Sequence, residues 1–280
     1  AGDLPRRTTR GSGGRPEYPL EPRAGAEAAA LVRLCRRHGV PLRFLGGGSN
    51  LLVASETISG AVIATRRLGG IEVRGDVVHA GAGASFPALA RRAAALQVPA
   101  LSGCSGIPGT VGGAVVMNAG GRFGTVAEAL VAVEGIDADG RVFRRSVAPR
   151  DFGYRSSPFN DVLVTGASFR RDATQDPGEA ARLFRAALDA KREVQPLGAR
   201  SAGCIFRNPD AGPSAGRLID RAGFKGQRIG AAAVSSSHAN FIVTEGGATA
   251  SDIRTLIARI RDAVREAFGV DLDLEVRVWS

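Results

Sequence analysis

The sequence predicts an α+β protein in two parts. Two observations carry the class. Strand patterns follow one another through a two-residue turn at Gly75-Asp76 and a short connection around Asp139-Gly140, and such turns join antiparallel neighbours. Helices do alternate with strands, but those hairpins are foreign to a doubly wound parallel sheet. A third observation gives the division. A long helical pattern over Pro177–Val194 separates two glycine-rich halves, which sets a first domain over residues 1–172 and a second over residues 173–280.

Taken in order, residues 24–38 read as a helix, because Leu31, Leu34, Cys35 and His38 recur at helical spacing. Leu42–Leu45 is a short strand running into Gly46-Gly47-Gly48-Ser49-Asn50. Residues 71–74 and 77–80 form the first hairpin, and Ser85 caps a helix expected to reach Gln97. A glycine-rich stretch follows over residues 102–121, then a second hairpin from residues 129–136 and 141–145. The helix at 177–194 carries Ala180, Leu183, Phe184, Ala187 and Leu188 on one face. Residues 214–222 form a short helix closed by Gly223. The clearest helix runs over residues 249–268. Thr249 and Asp252 make a capping box, Ile253, Leu256, Ile257, Ile260 and Val264 make its stripe, and Gly269 ends it. A last strand over residues 272–278 alternates Leu272, Leu274, Val276 and Val278 against Asp273, Glu275 and Arg277.

Composition narrows the function classes. With 44% hydrophobic and 23% charged residues the chain is an ordinary globular protein. It has no apolar run long enough to span a bilayer. Its first residues are polar and arginine-rich rather than a secretory signal, so a cytoplasmic location is expected. The net charge of +10 is carried by arginine, with Lys191 and Lys225 the only lysines. Such a balance suits nucleic acid, a membrane surface or a polyanionic small molecule. The arginines are scattered, and 5% aromatics are too few for base-stacking platforms, so no nucleic acid and no membrane partner is expected. Cys35, Cys104 and Cys204 are odd in number and widely spaced. That argues for a reducing compartment and against disulfides or zinc. His38, His79 and His238 show no ligand spacing, so no metal is expected.

The two glycine-rich segments admit two readings. Residues 46–50 follow a strand, and residues 103–114 have the same small-residue character. Successive backbone N–H groups there could converge on an anion, and two such loops could hold a pyrophosphate. Equally, the glycines could serve turns and tight packing. Neither segment fits the Rossmann or P-loop pattern.

The order of motifs resembles a known family. Leu45-Gly-Gly-Gly-Ser-Asn-Leu-Leu-Val53, then Gly106-Ile-Pro-Gly-Thr-Val-Gly-Gly-Ala114 and Met117-Asn118-Ala119-Gly120, resemble the FAD-binding half of the UDP-N-acetylenolpyruvoylglucosamine reductases. Tyr154-Arg155-Ser156-Ser157, Ser201-Ala-Gly-Cys-Ile-Phe-Arg-Asn-Pro209, Ala215-Gly-Arg-Leu-Ile-Asp220, Gly223-Phe-Lys-Gly226, His238-Ala-Asn-Phe-Ile242 and Leu274-Glu-Val-Arg277 follow in that family's order. The resemblance implies an FAD-binding fold of the vanillyl-alcohol-oxidase/p-cresol-methylhydroxylase type and a C-terminal α+β substrate-binding domain. It also implies reduction of UDP-N-acetylglucosamine enolpyruvate to UDP-N-acetylmuramate, for peptidoglycan precursor synthesis, with FAD and NADPH. A UDP-sugar is then the partner, and a monomer is expected. No tyrosine-bearing insertion follows Tyr154, as in the family's shorter subclass. Residues 8–14 depart from the family's usual Thr-Thr-Phe-Arg-Val-Gly-Gly, and Thr244 stands where asparagine is common.

By the same resemblance Gly46, Gly47, Gly48, Ser49, Asn50, Gly106, Ile107, Gly109, Thr110, Gly112, Gly113 and Asn118 contact the flavin. Arg155 stabilises charge, Cys204 donates a proton, and Glu275 acts as an acid near the enolpyruvyl end. Tyr154, Asn208 and Lys225 hold the substrate. The residues alone leave plainer alternatives open. Arg155 is one arginine among many, Glu275 stands on a solvent-facing strand edge, Cys204 is a small core residue, and Lys225 is exposed.

Overall fold

The computed structural model describes residues 14–280. Most of the departing segment at residues 8–14 therefore lies outside the described residues; only Gly14 is within them. In chain order the elements begin with β1 (Arg15–Leu20), α1 (Gly25–Arg37), β2 (Leu42–Leu45), β3 (Leu51–Val53), β4 (Thr57–Ala64), β5 (Ile71–Arg74), β6 (Val77–Gly81) and α2 (Phe86–Arg91). Next come α3 (Val111–Val116), β7 (Gly120–Gly121), β8 (Gly124–Thr125), α4 (Val126–Ala129), β9 (Leu130–Ile136), β10 (Val142–Ser146) and β11 (Leu163–Arg170). The chain continues with α5 (Pro177–Val194), α6 (Ala215–Arg221), β12 (Arg228–Ile229), β13 (Ala232–Val234), β14 (Ile242–Thr244), α7 (Ala250–Phe268) and β15 (Arg277–Trp279).

The chain divides into two compact units. The larger holds residues 17–47 and 59–190. Its centre is a five-stranded antiparallel sheet in the order β10-β9-β11-β6-β5, built from the two hairpins with β11 laid between them. Val78, Ala80, Val133, Ala167 and Phe169 line one face of it and bury Phe86, Leu89, Leu101, Val111 and Val115. A second sheet, β1-β4-β2, packs Ile63 against Ala28, Ala29 and Val32 of α1. The smaller unit holds residues 48–58 and 191–280, with the described residues up to Pro16. There the stripe of α7 meets Leu52, Phe206, Leu218, Ile219 and Leu272 in one core. Burying each such side chain contributes roughly 1.5–3 kcal/mol.

The local cap and stripe of α7 agree with expectation, whereas α1 buries Ala28, Ala29, Val32 and Cys35 and leaves Leu34 and His38 of the expected stripe exposed. The α7 capping box forms, with Thr249 N–H donating to Asp252 Oδ2 and Asp252 N–H to Thr249 Oγ1. Gly269 ends the helix in the left-handed region at φ 66°. Three further expectations need correction. The helix capped by Ser85 stops at Arg91, not Gln97, and the chain continues in turns that bury Ala93, Leu96 and Val98 in the main core. Core packing here overrides the helical propensity of an alanine-rich run. The strand expected over residues 272–278 is split. Residues 273–276 pair by backbone with residues 205–207, and only β15 is a strand, running parallel to β3. The units also differ from a cut at 172/173. Helix α5 belongs to the larger unit up to Ala190, tied there by Ser105 Oγ donating to Phe184 O, and residues 48–58 join the smaller unit because β3 pairs with β15.

Candidate functional site

In the larger unit the two glycine segments touch. Gly46 and Gly47 close β2, and the second segment turns into α3. That second segment is held by backbone bonds from its neighbours: Phe86 N–H donates to Gly109 O, Val111 N–H to Ala84 O and Gly112 N–H to Ala82 O. A Cβ on Gly47 would stand 2.8 Å from Gly109 Cα, and one on Gly46 would stand 2.5 Å from Thr110 Oγ1. No side chain fits between the loops. Thr110 Oγ1 is itself buried without a hydrogen-bond partner among the described residues. An unpartnered hydroxyl beside converging glycine backbones suits the oxygens of a bound phosphate. The donor set therefore fits the pyrophosphate of a dinucleotide such as FAD.

The same unit sets Arg155 at the tip of a tight hairpin. Gly153 and Ser156 exchange both backbone bonds, at 3.1 and 3.2 Å, and Arg155 takes a left-handed φ of 53°. For a residue with a long side chain that conformation costs on the order of 1–3 kcal/mol, and such strain concentrates at functional sites. Arg155 is half-buried and donates from Nη1 to Gly120 O at 2.9 Å. Its guanidinium carbon lies 5.3 Å from the ring centre of exposed Tyr154. Asn118 ties the hairpin base to the glycine-rich segment. Its Nδ2 donates to Gly153 O and its Oδ1 accepts from Ala127 N–H. Both ends of that amide thus go to backbone, which fixes its orientation.

The smaller unit brings Gly48, Ser49, Asn50, Cys204 and Glu275 into one set of segments. Asn50 Nδ2 donates to Glu275 O at 3.1 Å, and Asn50 O accepts from Arg277 N–H. Glu275 N–H and Val276 N–H both donate to Ile205 O, next to Cys204. Glu275 is half-buried, contrary to a solvent-facing strand position, because its segment is sandwiched rather than left at an edge. Cys204 is half-buried, whereas Cys35 and Cys104 are buried. Burial also pushes the Cys35 thiol up from its ordinary value.

Asn208 and Lys225 have structural partners. Asn208 Oδ1 accepts from Ala215 N–H at the start of α6, and Lys225 Nζ pairs with Asp220 at 2.8 Å. Sequence reasoning assigned no role to Asn240, which is buried and brackets the backbone of Phe206. The signal was a polar residue framed by Ala239, Phe241 and Ile242. Among the described residues no cluster of metal-ligating side chains occurs, and no helix is long and apolar enough to cross a membrane.

The glycine cradle and the sheets that present it define a flavin-binding oxidoreductase, and the sequence profile of the FAD binding domain matches residues 16–146. The profile of the UDP-N-acetylenolpyruvoylglucosamine reductase C-terminal domain matches residues 195–279. The reductase of Synechococcus sp. (strain RCC307) is 42% identical over 274 residues, covering 96% of this chain and 90% of the relative. That of Moorella thermoacetica is 40% identical over 280 residues, covering 99% and 91%. The crystal structure of UDP-N-acetylenolpyruvylglucosamine reductase from Thermus caldophilus superposes with a TM-score of 0.83 at 39% identity, covering 100% of this chain and 98% of that one. The chain belongs to the UDP-N-acetylenolpyruvoylglucosamine reductase family.

Proposed function

We propose that this chain reduces UDP-N-acetylglucosamine enolpyruvate to UDP-N-acetylmuramate at the expense of NADPH, with FAD held non-covalently. The observation that carries the reading is the direct contact of Gly46-Gly47 with Gly109-Thr110, in a chain matched to this family over nearly its whole length. FAD, when bound, supplies a ring that takes hydride from NADPH and passes it to the substrate double bond. Hydride and one proton added across that enol ether give the lactyl ether, so the reaction balances with NADP⁺ as the other product.

The protein's part is to bind, to oppose charge and to deliver the proton. Backbone N–H groups of Gly46, Gly47, Gly109, Thr110 and Gly113 hold the pyrophosphate, the neighbouring Gly106, Ile107 and Gly112 shape that segment, and Asn118 fixes the Arg155 hairpin against it. No His or Cys lies in residues 46–53 to tether a flavin. Hydride addition drives negative charge toward the substrate carboxylate, and the Arg155 guanidinium opposes it. Cys204 gives its proton to the adjacent carbon. Thiols titrate near about 8.5, so a thiol carries that proton at neutral pH. Glu275 serves as a further acid at the enolpyruvyl end. Tyr154, Asn208 and Lys225 contact the sugar nucleotide, Lys225 exchanging Asp220 for a phosphate. The working form is a single chain in the cytoplasm, without nucleic acid or membrane.

Anaerobic mixing tests this. NADPH should bleach the bound flavin, and the enolpyruvyl sugar nucleotide should restore its colour with UDP-N-acetylmuramate formed in equal amount. A purified protein that reconstitutes with no flavin, or a bleached flavin that the sugar nucleotide leaves unchanged, overturns the proposal.

A further inference from the structure

We infer that Asn240 is a positioning residue for the Cys204–Glu275 pair, an inference that rests on the roles proposed above for those two side chains. Asn240 is 2% exposed and shares three hydrogen bonds with one short segment, accepting two and donating one. Its Oδ1 accepts from Phe206 N–H at 2.9 Å, its Nδ2 donates to Phe206 O at 2.8 Å, and its own carbonyl accepts from Ile205 N–H at 2.9 Å. The side-chain amide thereby does for Phe206 what a neighbouring strand residue would do. On this side the segment is also bridged from Cys204 to Phe241. On its other side Ile205 O accepts from Glu275 N–H at 2.8 Å and from Val276 N–H at 3.3 Å, and Arg207 N–H donates to Asp273 O.

Residues 204–207 are thus the shared middle of a three-layer ladder. Cys204 stands at its start, and Glu275 hangs from its far edge through Ile205 O. Gly203, just before Cys204, has a left-handed φ of 75° and nothing within 4 Å of its Cβ position. The bonds from Asn240 brace the segment that follows this turn and carries Cys204. Only a carboxamide meets both backbone groups of Phe206 at once. A leucine of similar volume leaves a buried donor and a buried acceptor without partners, and an aspartate keeps the acceptor but loses the donor.

The test compares the FAD-loaded parent with Asn240→Leu and Asn240→Asp. Residue-resolved hydrogen exchange needs no substrate. Exchange at the Ile205, Phe206 and Glu275 amides should quicken together in Asn240→Leu, and in the same direction but less in Asn240→Asp, while Val133 in the other unit stays unchanged. Anaerobic mixing should then show flavin reduction by NADPH within about two-fold of the parent, and reoxidation by the sugar nucleotide slowed about 10–100-fold in Asn240→Leu, the scale of a sub-ångström to 1 Å misplacement. Quickened exchange confined to Phe206, or parent-like reoxidation in a folded variant, overturns the inference. Should Asn240→Leu fail to fold, Asn240→Asp decides by the same two readouts. A parent that is not reoxidised by the sugar nucleotide sinks the functional proposal instead, and the exchange pattern still decides whether the brace reaches Glu275.

Discussion

Replacing Gly47 by alanine puts one methyl group between the two glycine loops. The backbone of Gly47 lies outside the left-handed region, so alanine meets no conformational strain there, and the whole effect is the contact. The added Cβ would stand 2.8 Å from Gly109 Cα, 3.3 Å from its carbonyl carbon and 3.4 Å from Thr110 N, all backbone atoms that cannot rotate away. The loops must part. Overpacking of this kind costs about 1–3 kcal/mol. Falling on the flavin-bound state, that penalty raises the FAD dissociation constant roughly 5–150-fold, at tenfold per 1.4 kcal/mol. Falling on the fold itself, it lowers Tm by about 2–4 °C for each kcal/mol. Titration of apoprotein with FAD by fluorescence quenching, beside a thermal scan, separates the two. Gly121→Ala is the control, because its Cβ would meet nothing within 4 Å. A Gly47→Ala protein with parent affinity for FAD and parent Tm would refute the idea that these loops form the cradle.

Three further outcomes are expected. Cys204→Ala should slow substrate reduction roughly 10²–10⁴-fold, the usual range for a lost general acid, while Cys204→Ser keeps measurable turnover and flavin reduction by NADPH is unchanged in both; parent-like reoxidation in Cys204→Ala would leave Cys204 a packing residue. Arg155→Ala and Glu275→Gln should retain flavin and its reduction by NADPH but slow reoxidation, and loss of flavin from either would assign that residue to the fold. Burial holds both His79 and His238 below their ordinary value, so the folded state binds fewer protons than the unfolded chain. Stability should accordingly fall as pH drops through about 6.5, and His79→Gln should flatten that fall in urea midpoints taken between pH 7.5 and 5.5; an equal slope in both proteins would show that His79 does not contribute.

The parts legible in the sequence are those whose signals are local. Pro177–Val194 and the α7 helix carry their own stripes and caps, and both hairpins carry their own turns. What escaped needs a partner remote in the chain. Nothing near Leu272 says that residues 273–276 pair with residues 205–207 before β15 changes over to β3. The glycine loops were legible as an anion nest, but their contact at Gly47 and Gly109 is a tertiary fact. Arg155 was legible as a residue and not as a strained one, because a left-handed arginine leaves no composition signal. Asn240 escaped for a third reason: a buried asparagine reads as a polar interruption until its amide is seen against Phe206.

The pairing of β3 with β15 has a consequence for how the chain is made. Leu51, Leu52 and Val53 are all buried, yet they leave the ribosome long before Arg277–Trp279. At ordinary rates of synthesis, about 5–20 residues per second, that apolar strand waits roughly 10–45 s for its partner. Asn50, which ends the first glycine loop, receives its bond from Arg277 only then. The larger unit has by that time all of its own strands. A nascent chain halted before residue 277 therefore carries Leu51–Val53 without its parallel partner strand and lacks the bond from Arg277 N–H to Asn50 O.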